Sequence, residues 1–314
     1  MSEHLQRPLT FEPHYMDRVW GGRRLESCIA RALPPGRPIG ESWELVDRAD
    51  VQSIVNSGPL TGASLHDLWT TMRAPVFGDG LPETERFPLL AKILDARDTL
   101  SVQVHPPAGI APALGGEPKT EMWYLLDADA GAALYAGFRK GTTRADFEQA
   151  IVEGSVESLL HKVPVQRGDA MFIPSGRCHA IGSGCFIIEI QQNSDTTFRV
   201  FDWNRTGLDG KPRELHIAES LASIDFADHE PSLAWEQAGV VAACPLFKVE
   251  RWDLSAAQFD PAARGVIFTV IAGSLACGGR TFRKGDFFLL PAASADRTLT
   301  PLESGTAVLR TTIP

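Results

Sequence analysis

The sequence RGDAMFIPSGRCHAI, at residues 167–181, contains the pattern on which the fold prediction rests. Gly168 and Asp169 are typical of a tight turn, and the apolar residues AMFI that follow are typical of a short strand. Pro174, six residues after Gly168, stands where such a strand ends. A turn, a short strand and a second turn are the repeating parts of an all-β barrel or sandwich.

The same pattern occurs again near the end of the chain. In KGDFFLLPAASADRTL, at residues 284–299, Gly285 and Pro291 stand at the same offsets as in the first segment. His179 of the first segment has Asp296 as its counterpart. Gly-Asp and Pro can mark turns in any β protein, but the matched spacing favours a repeat. We therefore predict two β-barrel units, only one of which has the histidine.

The rest of the chain also consists of short apolar runs separated by turn residues. Its 28 glycines and 22 prolines interrupt short apolar runs, and few stretches have the period of an amphipathic helix. The fold class that this predicts is mostly β, with a small helical insertion. The clearest predicted strands are 87–96, 99–105, 121–127, 170–175, 186–192 and 196–203.

Two segments favour helix. The first is SLHDLWTTM at 64–72, and the second is the insertion at 143–162. In the insertion Thr143 is a suitable N-cap, and apolar residues recur from Phe147 onward at helical spacing. Gly154 interrupts this run, so two short helices are predicted instead of one.

The predicted domains are residues 1–235, which include the helical insertion, and residues 246–314. The segment 228–245 shows no strand pattern until its end and is predicted to connect them. No histidine occurs in 246–314. We therefore expect the C-terminal domain to be a structural, metal-free β domain of the same type as the first.

Composition limits the partners. The chain has 314 residues, 44% of them apolar, which is enough for a substantial core. Its net charge of -9 and pI near 5.4 argue against nucleic acid or an anionic membrane as a partner. The five scattered cysteines form no C-x-x-C pair, and we see neither a signal peptide nor an apolar stretch long enough to cross a membrane. We expect a cytoplasmic protein, monomeric or weakly homodimeric.

Polar residues alternate with valines in the run LSVQVHP at 100–106. Gln103 and His105 stand two residues apart on a predicted strand, so their side chains leave the same face, while Val102 and Val104 face the other way. A barrel wall that presents such a pair inward can hold two metal ligands rigidly. By itself the pattern is weak evidence, because a surface strand alternates in the same way.

Glu121 and His179 extend this set. Glu121 begins the predicted strand EMWYLLD, and His179 follows the turn described above. Two imidazoles, a carboxylate and the amide of Gln103 would form a nitrogen and oxygen site suited to Zn²⁺, with a coordination position left for substrate or water. Cys178 should face the opposite side of the strand from His179 and is expected to be structural.

Six segments then appear in order: GESWE (40–44), FPLLAKILDA (87–96), LSVQVHP (100–106), PKTEMWY (118–124), GDAMFIPSGRCHA (168–180) and DTTFRVFDWNR (195–205). Their Q-x-H, K-x-E and D-x-x-x-R elements are specific in combination. From Trp20 to His216 the chain resembles the short form of the class I mannose-6-phosphate isomerases.

This resemblance implies a fold, an activity and a cofactor. The fold is the cupin, a double-stranded β-helix or jelly-roll barrel. The activity is the interconversion of mannose 6-phosphate and fructose 6-phosphate, by proton transfer between C1 and C2 through an enediolate, in carbohydrate and mannose metabolism. The cofactor is one Zn²⁺ per chain, with Gln103, His105, Glu121 and His179 as its ligands.

Arg199 lies on the predicted strand TTFRVFDW and shares a strand face with Asp195. A guanidinium directed into a barrel needs an anion, which would be either Asp195 or an oxygen of the ligand. A structural Arg–Asp pair is therefore the alternative. The resemblance favours a catalytic role, in which Arg199 stabilises the enediolate-like transition state and Asp195 is positioned nearby.

Further cations are predicted to contact the substrate. Lys92 interrupts an apolar strand, and the resemblance favours substrate contact over snorkelling to the barrel mouth. Lys119 precedes Glu121 by two residues, and desolvation beside a metal is expected to lower its pKa enough for acid–base chemistry. Arg205, six residues after Arg199, is the expected phosphate contact.

Trp20, in the segment WGGRRL, resembles the family's tryptophan that lines the pocket, although a core or interface position explains it equally well. Many family members have a histidine immediately before the lysine of K-x-E, where this chain has Pro118. The general base is therefore left open among His105, Glu121 and Lys119.

Two other functions compete with the isomerase. A cupin dioxygenase that uses iron would keep H-x-H where this chain has Gln103 and His105, which disfavours it. A sugar-sensing cupin without catalysis should lack some of the ligand or arginine positions, and all of them are present here.

Overall fold

The computed structural model describes residues 5–234 and 239–314. Most of its regular structure is β strand, as predicted. The predicted domains, 1–235 and 246–314, remain a prediction, and residue 235 lies outside the described residues. By its contacts the chain forms two compact units: a central unit, Tyr15–Ser42 and Ala91–Ala234, and a terminal unit, Met1–His14, Trp43–Leu90 and Trp235–Pro314.

Each of the predicted strands is present, with bounds that differ by a few residues. The strands are β1 His14–Gly22, β2 Ile39–Leu45, β3 Leu89–Ala96, β4 Val102–Val104, β5 Glu121–Ala128, β6 Ala133–Phe138, β7 Leu160–Pro164, β8 Ala170–Ile173, β9 His179–Ile181, β10 Cys185–Gln192, β11 Phe198–Phe201, β12 Val240–Ala243, β13 Lys248–Leu254, β14 Gln258–Phe259, β15 Val266–Ala272, β16 Ser274–Cys277, β17 Arg280–Arg283, β18 Phe287–Leu290, β19 Thr298–Pro301 and β20 Thr306–Thr312. The α-helices are α1 Arg24–Ser27, α2 Leu65–Thr71, α3 Arg73–Phe77, α4 Arg144–Glu153 and α5 Ile217–Ser223. In the part of the chain that the structure describes, no helix is long and apolar enough to cross a membrane.

The central unit is a barrel of two sheets. One sheet has the strand order β1-β2-β3-β10-β5-β8, and the other has the order β11-β4-β9-β6-β7. Apolar side chains from both sheets fill the space between them; Leu94, Leu125 and Leu134 are at most 4% exposed. Cross-strand pairing joins residues that are distant in sequence, since Gln103 on β4 pairs with His179 on β9.

The helical insertion begins as predicted and ends differently. The Thr143 hydroxyl caps α4 by accepting a hydrogen bond from the backbone N–H of Asp146, and the Asp146 carboxylate accepts one from the Thr143 N–H. Gly154 ends α4 with a φ of 72°, which glycine adopts without strain. A short 3₁₀ helix follows at Val156–Leu159, but Leu160–Pro164 is strand β7, because these residues pair with β6.

The terminal unit has its own two-sheet barrel. Its strand orders are β12-β13-β20-β15-β18 and β14-β19-β16-β17. Phe268 and Val308 from the first sheet pack with Leu275 and Leu299 from the second, and all four are fully buried. The two predicted cupin-type barrels are thus both present.

The repeated turn is built in the same way in both units. Gly168 and Gly285 have φ values of 93° and 89°. The next residue, Asp169 or Asp286, accepts a hydrogen bond of 2.8 Å from the backbone N–H three residues before it. Each turn leads directly into a strand, β8 in one unit and β18 in the other. The sequence repeat is therefore also a structural repeat.

Candidate metal centre and active site

His105, Glu121 and His179 converge inside the central unit. His105 follows β4, Glu121 begins β5 and His179 begins β9. His105 Nε2 lies 3.6 Å from Glu121 Oε2, and His179 Nε2 lies 3.5 Å from Glu121 Oε1. All three residues are at most 1% exposed. One ligand atom from each lies within 4.8 Å of the others, so a single metal ion can bind all three.

Backbone carbonyls orient both imidazoles. His105 Nδ1 lies 2.8 Å from the Thr196 carbonyl oxygen, and His179 Nδ1 lies 2.9 Å from that of Arg177. A carbonyl oxygen only accepts, so each Nδ1 carries the proton and donates it. Each Nε2 is then unprotonated and faces Glu121, which is the usual arrangement of metal-ligating histidines.

Burial sets the charges of the cluster. It lowers the pKa of His179 to about 3, assisted by the neighbouring His105, and it also lowers the pKa of His105. Burial opposes the ionisation of Glu121, but the ammonium of Lys119 acts against this, and the net effect holds the pKa of that carboxyl well below its ordinary value. The cluster therefore offers two neutral nitrogen donors and one carboxylate at neutral pH.

The Glu121 carboxylate has unused lone pairs. Both of its oxygens are buried, and neither accepts a hydrogen bond from the described residues. Lys119 Nζ is 2.6 Å from Oε2 but outside hydrogen-bonding geometry. Buried polar atoms are normally satisfied, so lone pairs that face two imidazole nitrogens point to a cation as their partner. The residues present fit a metal ion.

Gln103 joins the cluster, as predicted from its spacing. Its Nε2 is 3.2 Å from His179 Nε2. The two ends of a side-chain amide are distinguished only by their hydrogen bonds, and exchanging them turns the oxygen toward the same point. Gln103 therefore stands where a fourth ligand would bind.

A row of alternating charges leads away from the cluster along one sheet. Neighbouring charged atoms in this row are 2.6 to 3.6 Å apart. Positive and negative groups are equal in number, which offsets the cost of removing them from water. We call it the charge row, and its members are Glu121, Lys119, Glu189, Lys92, Glu41 and Arg18.

The predicted fall in the pKa of Lys119 is wrong. Burial acts in the predicted direction, but the carboxylates of Glu121 and Glu189 act against it, and the net effect raises the pKa of the ammonium. Two buried carboxylates close to one ammonium stabilise its charge more than desolvation penalises it. Lys119 is therefore a cation and a hydrogen-bond donor at neutral pH.

A cavity of about 590 Å³ lies beside the cluster. Gln103 and Lys119 line this cavity. On the side away from the cavity, Gln103 contacts His179 and Lys119 contacts Glu121. The volume is within the range of small-molecule sites. The predicted site residues that line the cavity are Trp20, Lys92, Gln103, Lys119, Asp195 and Arg199.

Neutral groups orient Arg199, and Asp195 does not. Arg199 Nε donates to Ser101 Oγ at 3.2 Å, and Nη1 donates to the Glu214 carbonyl at 2.9 Å. Among the described residues no carboxylate forms an ion pair with this guanidinium. The alternative of a structural pair with Asp195 is therefore absent. Burial, together with the charge of Arg213, lowers the pKa of Arg199.

Arg205 is not among the residues that line the cavity. Its guanidinium donates to Asp202, to Asp98 and to the Thr99 carbonyl. This arrangement gives no support to the predicted phosphate contact. Arg213, which the sequence reading did not single out, does line the cavity, but it is also paired with Asp202.

Comparison with known proteins identifies the family. The family model for the catalytic domain of type I phosphomannose isomerase matches residues 9–126. A mannose-6-phosphate isomerase from Streptococcus mutans is 36% identical in an alignment of 299 positions that covers 91% of this chain and 93% of that protein. Mannose-6-phosphate isomerase ManA from Bacillus subtilis is 37% identical in an alignment of 302 positions that covers 90% of this chain and 93% of that protein. The chain belongs to the type I mannose-6-phosphate isomerase family.

The fold agrees with membership of the mannose-6-phosphate isomerase family. The crystal structure of mannose 6-phosphate isomerase from Bacillus subtilis matches with a TM-score of 0.85 and 30% identity, over 98% of this chain and 99% of that chain. The family predicted from the sequence motifs is thereby confirmed. Type I mannose-6-phosphate isomerases are zinc-dependent, and the buried donor set described above suits that metal.

In this family member, the charged residues that line the cavity and that the sequence did not single out include Glu189 and Arg18 of the charge row. Glu189 is 3% exposed and accepts a hydrogen bond of 2.9 Å from Trp123 Nε1. Burial, with the charge of Glu121, raises the pKa of Glu189. The sequence pattern could have indicated Glu189 as a functional residue, because it is the one carboxylate in the apolar run FIIEIQQ at 186–192.

Two other predicted residues of this isomerase-family chain have clear positions. Trp20 is 3% exposed; it lines the cavity and also packs in the core, so its two predicted roles are compatible. Cys178 is fully buried in an apolar cluster with Val104, and burial raises the pKa of its thiol. Its position agrees with a structural role.

Proposed function

We propose that this chain interconverts mannose 6-phosphate and fructose 6-phosphate and uses one zinc ion bound by His105, Glu121 and His179, with Gln103 as a fourth ligand. The observation that carries the proposal is the buried carboxylate with unused lone pairs between two oriented imidazoles, next to a cavity lined by cations. Family membership supports the substrate and the metal.

A zinc ion held by His105, Glu121, His179 and Gln103 would supply Lewis-acid chemistry to the open-chain sugar. Arg199 would stabilise the negative charge that develops in the enediolate, since its guanidinium has no carboxylate partner among the described residues. Lys119 would donate a hydrogen bond to a sugar oxygen and so stabilise negative charge there. Trp20 would pack its indole against the C–H face of the sugar, and Lys92 and Asp195 would contact it from the cavity wall.

The candidates for the base that moves a proton between C1 and C2 are His105, Glu121 and Lys119. His105 is disfavoured as the base, because its Nε2 would bind the zinc ion and its Nδ1 already donates to the Thr196 carbonyl. Lys119 is disfavoured in this role, because Glu121 and Glu189 keep it protonated. Pro118 at the position of the family's usual histidine removes that residue from the choice.

The remaining predictions belong to the same proposal. Residues 246–314 would serve as a structural domain without a metal. The enzyme would act in the cytoplasm on a small phosphosugar, as a monomer or weak homodimer, without nucleic acid or membrane as partner.

A coupled assay for fructose 6-phosphate formed from mannose 6-phosphate tests the proposal. We expect turnover in the ordinary enzymatic range, about 1–10³ s⁻¹, with zinc-loaded protein. The sugar-sensing alternative predicts binding of the phosphosugar without turnover. Fully metallated protein that binds the substrate and does not convert it would therefore contradict the isomerase.

A further inference from the structure

The substrate's phosphate needs a cation that the cavity exposes and that is not already held by two carboxylate contacts. Lys92 lies between Glu41 and Glu189, and Lys119 lies between Glu189 and Glu121. Arg213 makes two bonds to Asp202. Each of these three cations makes two carboxylate contacts, whereas Arg18 makes one, with Glu41, and Arg199 makes none among the described residues. Arg18 and Arg199 are therefore the candidates on the cavity wall.

Neighbouring residues fix the orientation of the Arg18 side chain. Its Nε donates to Glu41 Oε1 at 2.6 Å, and its Nη1 donates to the Asp17 carbonyl at 3.2 Å. Gly40 makes room for it, since a Cβ at Gly40 would lie 2.5 Å from Arg18 Cβ and 2.7 Å from the Trp20 ring. The guanidinium is thus oriented before any ligand arrives, which reduces the entropy cost of binding.

One nitrogen of this guanidinium is still available. Within the described residues, Nη2 of Arg18 donates no hydrogen bond, and the guanidinium forms its ion pair with Glu41 through Nε. The side chain is 31% exposed and lies on the cavity wall, so a ligand can reach it. An arginine fork that is fixed on one side and open on the other is suited to a phosphate oxygen.

Arg18 also lies several strands away from the metal ligands, as a phosphate contact should. Along the sheet order β1-β2-β3-β10-β5, the strand of Arg18 is four steps from the strand of Glu121, which is about 19 Å at ~4.8 Å per step. The inward reach of the arginine and an open-chain hexose phosphate can together span this distance. Arg199 lies closer to the metal ligands, because it pairs directly with Gln103.

We infer that Arg18 binds the phosphate group of the hexose 6-phosphate and makes the site selective for phosphorylated sugars. The inference rests on the proposed function and assigns the phosphate to Arg18 instead of Arg205. The charge of Arg18 also acts on Arg199, and a bound phosphate dianion would relieve the repulsion between these two cations.

The test compares three variants of the zinc-loaded enzyme: Arg18→Gln, Arg205→Gln and, as a matched surface control, Arg144→Gln, whose partner Glu148 is exposed. Calorimetry with mannose 6-phosphate gives the Kd, and steady-state assays give KM and the inhibition constant of inorganic phosphate. We expect Arg18→Gln to raise all three by about 10- to 100-fold, with zinc content unchanged. Arg144→Gln should match the wild type.

Several outcomes would overturn the inference. Wild-type Kd and KM in Arg18→Gln would do so, as would the same losses in Arg205→Gln instead. A fall in kcat with unchanged KM and Kd would give Arg18 only the role of balancing Glu41. If Arg18→Gln does not fold, Arg18→Lys keeps the charge beside Glu41 but loses the fork, and its KM should still rise; a wild-type KM there counts against the inference. Substrate binding that depends on Arg18 without turnover would reject the isomerase and retain the phosphate site.

Discussion

Each imidazole of the candidate metal centre has one nitrogen committed to a backbone carbonyl and the other directed at Glu121. This division makes His105 and His179 suitable ligands, because it fixes both the ring orientation and the tautomer. Burial adds to it by keeping both rings neutral. Removing one ring and removing a nearby cation should therefore have different effects.

We predict that His179→Ala loses both zinc and activity, whereas Arg199→Ala keeps zinc and loses about 10²–10³ in kcat, the usual effect of removing one group that stabilises developing negative charge. Metal analysis and the coupled assay on the same samples measure both effects. His161→Ala, a partly exposed histidine on β7, is the control and should behave as wild type. Zinc at wild-type stoichiometry in His179→Ala would refute the ligand assignment.

Sequence reasoning at the residue scale predicted which ligand candidates lie together in the structure, whereas the structure gives no support to the predicted phosphate contact. Gln103, His105, Glu121 and His179 could be predicted because strand alternation and motif spacing fix which face they occupy. The position of Arg205 could not, because its partners Asp202, Asp98 and Thr99 are set by the tertiary fold. The spacing of residues in the sequence predicts that an arginine lies near a site, but it does not predict which carboxylate forms an ion pair with that arginine.

The Gly-Asp turn shows how one local conformation supports an element in each unit. Gly168 has a φ of 93°, and a Cβ there would approach only the Tyr124 hydroxyl, at 3.9 Å. An alanine at this position therefore meets a conformational penalty and no serious clash.

We predict that Gly168→Ala lowers the free energy of unfolding by about 1–2 kcal/mol, the ordinary cost of a left-handed conformation with a side chain. Chemical denaturation measures the change. Gly109→Ala is the control, because that glycine lacks a positive φ and has open space around it, so its effect should be within about 0.5 kcal/mol of zero. Equal effects in the two variants would contradict the explanation.

The strands were predictable from the sequence because each is a short apolar run bounded by turn residues. The insertion at 143–162 was predictable only as far as Gly154 and the short 3₁₀ helix. Leu160–Pro164 continues the apolar pattern of the helix, but pairing with β6 makes it a strand. A short apolar run fits either structure, and the partner strand decides.

At the scale of the whole molecule, each unit has its own buried ionic network. In the terminal unit Asp260 is fully buried and forms ion pairs with Arg297 and Arg310. Burial opposes the ionisation of this carboxyl, but the hydrogen bond from Arg310 acts against this, and the net effect lowers the pKa of Asp260.

We therefore predict that Asp260 makes the protein acid-sensitive. A lowered folded pKa gives stability that is complete above the unfolded pKa, about 3.9, and is lost as pH falls through the folded pKa. Denaturation at pH 7, 5 and 3.5 should show Asp260→Asn to be less stable at pH 7 and less dependent on pH below 5. Asp253→Asn, which removes an exposed pair with Arg251, should keep the wild-type pH dependence. An identical acid slope in Asp260→Asn and wild type would disprove this.

The grouping of residues into units was harder to predict than the strands. Residues 5–14 and 43–90 belong with the terminal unit although they lie at the other end of the sequence. Nothing in their local pattern indicates this, because strand propensity says which residues extend and not which distant segment they pack against. Only the repeated turn, in which Gly168 and Gly285 match, pointed to two barrels.

The central claim is that the buried cluster holds the zinc ion on which isomerisation depends. The most direct measurement strips the protein of metal with a chelator, returns zinc in measured equivalents, and follows the conversion of mannose 6-phosphate at each step. We predict negligible activity in the stripped protein and a linear recovery that ends at one zinc per chain. Full activity without zinc, or one bound zinc per chain without turnover, would contradict the claim.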